Sequence, residues 1–244
     1  MPFTFSHPAA VLPLKYLPKK WFSVTGLVVG SLTPDFEYFI RMRIYSSLSH
    51  TWTGLFFFDL PLAIILASVF HLLVKDQLIE SLPHFLQARF IAFKEFKWMT
   101  YLKGNFQVVV LSCMIGAASH ILWDGFTHQH GSFVQTITSL QQVLYVSRYS
   151  IPVYKLLQHI SSFLGGLIII YAIWKMPIRA ANCNGLNWNY WLSVVFIVLV
   201  VLSIRVSTGY NLAFGNIVTS AITGILIGLI LTPVFRSLPR NTLN

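Results

Sequence analysis

Apolar runs separated by short polar or basic stretches dominate this 244-residue chain. Runs at 53–74, 105–126, 156–176, 190–204 and 212–235 each approach the roughly 20 residues that a helix needs to cross hydrocarbon. They predict about five membrane-spanning helices. A further run, 21–32, is too short to cross and ends in Thr33-Pro34-Asp35, so it is expected to be a half-buried or re-entrant helix. Asp35 then emerges from a proline turn near a membrane boundary, either as a solvated cap or as a ligand. At the N-terminus, MPFTFSHPAAVLPLKYLPKK has an apolar stretch too short and wrongly ordered for a signal peptide, so it is expected to stay attached. His7 precedes Pro8, and proline favours the first position of a helix, which places His7 at a helix N-terminus. The segment 75–104 mixes Lys75, Arg89, Lys94, Lys97 and Lys103 with Phe85, Phe90, Phe93, Phe96 and Trp98. It predicts an interfacial amphipathic helix whose basic side chains snorkel to anionic lipid headgroups. Small residues at Ser161, Ser162, Gly165 and Gly166, and a GxxxG pair at Gly224 and Gly228, suit close helix contact. The fold class is therefore all-α: a polytopic transmembrane helix bundle forming one integral-membrane domain over 1–244, with no internal repeat and no linker.

Composition agrees with this pattern. Hydrophobic residues make up 55% and charged residues 10%, with mean hydropathy +0.68. The net charge of +10 bears on orientation and anionic lipid, not nucleic acid, for which there is no binding motif. Placing the basic 75–104 loop in the cytoplasm puts 127–155 outside and the C-terminus inside. His50, His120, Asp124, His128 and His159 then share the outer side. His7 and Asp35 join them if 21–32 dips and returns, although Lys15, Lys19, Lys20, Arg41 and Arg43 argue against that placement. Asp59 lies inside the first span, where an ionisable group is expected to face the bundle and find a partner. Cys113 and Cys183 offer neither a disulfide framework nor a CxxC site, so any metal must be held by His and Asp.

The candidate chemistry centres on SHILWDGFTHQHG, where His120, Asp124 and His128 are spaced by four residues. On a helix each is turned about 40° from the last and rises about 6 Å, so the three line one stripe. A histidine and a carboxylate one turn apart can hold a divalent ion such as zinc, and the next histidine can close the site or bind a second ion. A polar helix end reaching the headgroups is the plainer reading. His130 is a ligand, a proton shuttle or a solvated loop residue. His71 and His84 read as packing or interfacial histidines, and Arg205 as an interfacial anchor or a phosphate contact.

The segments MPFTFSHPAAVLPL, GSLTPDFEYF, SHT at 49–51, HILWDGFTH and YKLLQHISS resemble a bacterial family of integral-membrane proteins defined only as a domain of unknown function. The resemblance covers essentially the whole chain. More loosely, an N-terminal His, a PD turn, a His before a span and an HxxxD helix are similar to inner-membrane proteins labelled metal-dependent hydrolases. HxxxDxxTH is also similar to helical zinc phospholipase C and nuclease sites. The resemblance implies a metal site built from His7, Asp35, His50, His120, Asp124 and His159, together with His128. The expectation that follows is a hydrolase of the bacterial inner membrane using a divalent metal, zinc foremost, on a phosphoester or lipid-linked substrate at the outer side. His128 or His130 would be its general acid. A metal-ion or proton transporter and a non-catalytic scaffold are the alternatives.

Overall fold

The computed structural model describes residues 3–18, 20–146, 149–179, 185–209 and 211–237; Lys19 and Cys183 lie outside them. It is helical almost throughout. Five helices are long and apolar enough to cross a membrane, so the chain is an integral membrane protein of the expected class.

A turn at the N-terminus leads into α1 (Pro8–Val11), then α2 (Val24–Leu32) and α3 (Phe36–Arg41). The first spanning helix, α4 (Trp52–Ser81), is followed by α5 (His84–Phe90) and α6 (Trp98–Gly104). Next come α7 (Phe106–Thr127), α8 (Ser132–Thr136), an antiparallel hairpin of β1 (Val143–Val146) and β2 (Tyr149–Pro152), and α9 (Val153–Trp174). Helices α10 (Trp188–Ser207) and α11 (Phe214–Ser237) complete the described chain. Within α4, Pro61 supplies no N–H to the carbonyl one turn before it, and the helix widens to a π turn over Leu55–Asp59. Asp59 is fully buried, as a carboxylate inside a span should be.

The helices form two compact units. In the first (Met1–Phe36, Ser47–Ile64, Asn105–Lys175), α2 packs parallel to α7 with almost no space between backbones. A Cβ on Gly30 would lie 2.2 Å from the Cys113 carbonyl oxygen, and one on Gly116 2.4 Å from that of Leu27. The two glycines let the helices touch, and the contact fixes register. Ser23 N donates to Ser112 Oγ (2.8 Å) at one end, and Ser31 stands beside His120 at the other. Gly165 of α9 likewise seats the N-terminal segment, since its Cβ would be 2.9 Å from Ser6. Ser162 and Gly165 of the small patch thus meet that segment, whereas Gly166 lies against nothing among the described residues. The hairpin lies within the 127–155 connection between two spans, where VLYV and YSIP carry the β-branched and aromatic residues that strands favour.

In the second unit (Glu37–Ser46, Ile65–Gly104, Met176–Asn244), Gly224 and Gly228 lie against Val198 and Val194, so the GxxxG pair joins α10 to α11. The basic segment is helical in pieces, interrupted at Pro83 and after a short turn at Ile91–Glu95. Lys75 departs from the snorkelling expectation: it is buried, and its ammonium donates to the Phe96 carbonyl (2.9 Å). The Asp76 carboxylate, 3.4 Å away, balances its charge. His71 stacks on Trp98 at 5.0 Å, the packing role expected of it.

Candidate metal centre

Asp35, His50 and the pair His120 and Asp124 come from three separate places in the chain and meet in the first unit. Asp35 closes the Thr33–Asp35 turn that ends α2. Thr4 Oγ1 donates to its Oδ2, which leaves Oδ1 facing inward. His50 precedes the cap of α4: Thr51 Oγ1 accepts from Gly54 N (2.8 Å), and Ser49 Oγ lies 3.0 Å from His50 Nδ1. His120 Nδ1 lies 2.7 Å from the Ser31 carbonyl, which can only accept. Its proton therefore sits on Nδ1, and Nε2 presents a lone pair in the neutral ring. Asp124 follows one helical turn on.

Four atoms then face one point. His120 Nε2 is 3.6 Å from Asp35 Oδ1 and 3.4 Å from Asp124 Oδ2, and His50 Nε2 is 3.6 and 3.4 Å from the same two oxygens. These separations are too long for hydrogen bonds. His120 Nε2 and Asp35 Oδ1 are buried and have no hydrogen-bond partner. Leaving such atoms unsatisfied is costly. Ligands about 2.05 Å from a tetrahedral zinc stand about 3.3–3.4 Å apart, so the spacing is that of donors around one small cation. Two imidazoles and two carboxylates are a donor set for zinc or a similar first-row ion. The residues fit a metal.

His7 adjoins this group on the other carboxylate oxygen. Its Nε2 is 3.6 Å from Asp124 Oδ1, and its ring stacks on His120 at 3.7 Å. Burial pushes its pKa down to about 3, and His120 beside it acts in the same direction, so the ring stays neutral. Burial opposes charge on Asp35 too, yet the facing His120 and His50 hold its carboxyl below the ordinary range. For His50, burial is outweighed by Asp124 and Asp35, which raise its pKa.

Helix α7 ends at Thr127, and His128 caps it: its backbone is extended, but its N–H donates to the Asp124 carbonyl (3.0 Å), so it stays one turn beyond Asp124. Its Nδ1 still lies 3.5 Å from Asp124 Oδ1. His130 is exposed two residues further on, and His159 is exposed on α9 outside the group of four. Arg205 belongs to the second unit, where its guanidinium donates to the Asn211 carbonyl (3.0 Å). Sequence reasoning missed Thr4 and Ser31. Thr4 had a signal, a hydroxyl one turn before His7, whereas the contribution of Ser31 is a backbone carbonyl and leaves none.

The match of one family description to residues 1–234 spans every part of this cluster. The chain belongs to DUF4184, a domain of unknown function. Membership in DUF4184 agrees with the resemblance read from the N-terminal and HILWDGFTH segments. No curated protein and no solved structure matches the chain.

Proposed function

We propose that this protein is a metal-dependent hydrolase of the bacterial inner membrane, acting on a phosphoester or lipid-linked substrate. Its centre faces the outer side, its C-terminus is cytoplasmic, and the basic residues of 75–104 lie among anionic headgroups. The observation that carries the reading is the approach of Asp35, His50, His120 and Asp124 to 3.4–3.6 Å with buried, unsatisfied ring nitrogen and carboxylate oxygen between them. Held by these four residues, a zinc-type ion would supply an acidified water and would polarise the scissile group. Around it, Thr4 and the Ser31 carbonyl fix the orientation of Asp35 and His120. Neutral His7 stands ready to donate or accept a hydrogen bond to substrate. His128, half-buried beside Asp124, is placed to protonate a leaving group, with the exposed His130 as the second candidate.

The test is metal content of the detergent-purified protein, measured with hydrolysis of bis(p-nitrophenyl) phosphate for wild type, His120→Ala and Asp124→Ala. Bound metal in wild type, lost in both variants together with hydrolysis, is the expected result. A metal-free wild type, or variants that keep both metal and activity, would refute it.

A further inference from the structure

Beside the cluster lies a groove of ≈ 300 Å³ between the N-terminal segment and α9, at the small end of the range for ligand pockets. His7 belongs to both, lining the groove while its Nε2 stands 3.6 Å from Asp124. The hydroxyls in the groove wall are already committed to the protein. Ser6 Oγ donates to the Ser162 carbonyl (2.8 Å), and Ser162 Oγ donates to Gln158 O (2.8 Å) while accepting from Phe3 N (3.0 Å). Ser161 Oγ donates to Gln158 O (3.1 Å) and accepts from the Trp123 indole (3.2 Å). No hydroxyl proton in this wall is left to grip a sugar, a peptide or a nucleotide. Besides His7, the remaining surface is apolar: the side chains of Ala9, Ala10, Leu164 and Ile168 and the Trp123 ring. Leu164 and Ile168 are half exposed on a helix long and apolar enough to cross a membrane, so the groove opens where hydrocarbon would be. Gly165 sets its floor, because any side chain there would meet Ser6.

We propose that this groove binds one hydrocarbon chain of a membrane lipid, with the lipid's polar head at His7 and the metal centre. This names the substrate class for the hydrolase reading and rests on it: a long-chain lipid entering from the bilayer, for which a small soluble phosphodiester serves only as a probe of the metal centre. The narrow volume and the apolar wall select a single chain, and His7 marks where the chain ends and the headgroup begins.

The test uses the full-length protein in nanodiscs containing a trace of phospholipid with a diazirine at the end of one acyl chain. After irradiation, the labelled residues are mapped by mass spectrometry. Label is expected to concentrate at Ala9, Ala10, Leu164 and Ile168 and to be displaced by excess lysophospholipid. It should fall about tenfold in Ala10→Phe, the change given by losing burial of about two chain methylenes. Metal content is measured on the same samples. Even labelling of lipid-facing residues such as Phe196 and Leu199, without competition, or full labelling of Ala10→Phe, would overturn the groove proposal. Either result with metal intact leaves the metal centre standing; loss of metal with labelling intact would sink the hydrolase reading alone.

Discussion

At the scale of single residues, the centre depends on which way a few donors point. Thr4 holds one oxygen of Asp35 so that the other faces the cluster. Thr4→Val keeps the shape but leaves a buried carboxylate oxygen without its donor, so it is expected to weaken metal affinity about 10–100-fold and to cost about 1–3 kcal/mol of stability. Competition against a graded chelator reads this directly, and unchanged affinity would show that Asp35 needs no such support. The pH response follows from the same geometry. In the metal-free protein the raised pKa of His50 makes its pairing fully stabilising below its ordinary 6.5, and that stabilisation fades as pH rises through the raised value. Asp35 contributes above its ordinary 3.8 and loses the contribution only as pH falls through its lower folded value. A metal ion must displace the proton of His50, so zinc should raise the melting temperature more at about pH 8 than at about pH 5.5. An equal zinc shift at both would remove His50 from the ligand set.

At the scale of elements, the α2–α7 contact carries the site, because the carbonyl that orients His120 belongs to α2. Gly116→Val would force the helices apart against the Leu27 carbonyl, costing about 1–3 kcal/mol and the metal as well. Gly224→Val, at the α10–α11 contact, should cost similar stability yet leave metal content unchanged, since its unit holds none of the four ligands. Thermal unfolding with metal analysis of both variants checks the pair, and metal loss in Gly224→Val would break the distinction. This also explains what the sequence could and could not reveal. Run length foretold the spans, Pro8 the helix after His7, and the TPD turn the position of Asp35, because each is a local rule. The GxxxG at 224 and 228 marks a helix contact by its spacing alone, whereas Gly26, Gly30 and Gly116 carry no such mark, since glycines in a short run look like poor helix formers until a partner is known. Counting in fours finds His128 one turn beyond Asp124, but it does not see the chain turn back just after it, which it does where Gly131 packs on the Gly125 carbonyl and Phe133 stacks on Phe126.

At the scale of the whole molecule, the basic N-terminal residues had argued against bringing His7 and Asp35 to the outer side, and the path of the chain removes that objection. From His7, stacked on His120, the chain descends through α1 and returns through α2, which runs parallel to α7. Ser23 sits beside Ser112, six residues and so about 9 Å from the start of α7. Lys15 and Lys20 lie in the turn before it, at the end of α7 that the chain enters from Lys97 and Lys103. Lys15 and Lys20 therefore lie toward the start of α7, and the metal ligands toward its other end. Under the proposed orientation, with the 75–104 loop in the cytoplasm, the lysines of the dip fall on the cytoplasmic side and the cluster at the outer boundary. In a background carrying Cys113→Ser and Cys183→Ser, Ser132→Cys, exposed just beyond α7, should react with an impermeant maleimide in intact spheroplasts. Lys20→Cys should react only after permeabilisation. Reversed labelling would turn the centre toward the cytoplasm with its geometry intact. Labelling of both from outside would mean that the N-terminal dip does not reach across, and the charge pattern would again count against the cluster.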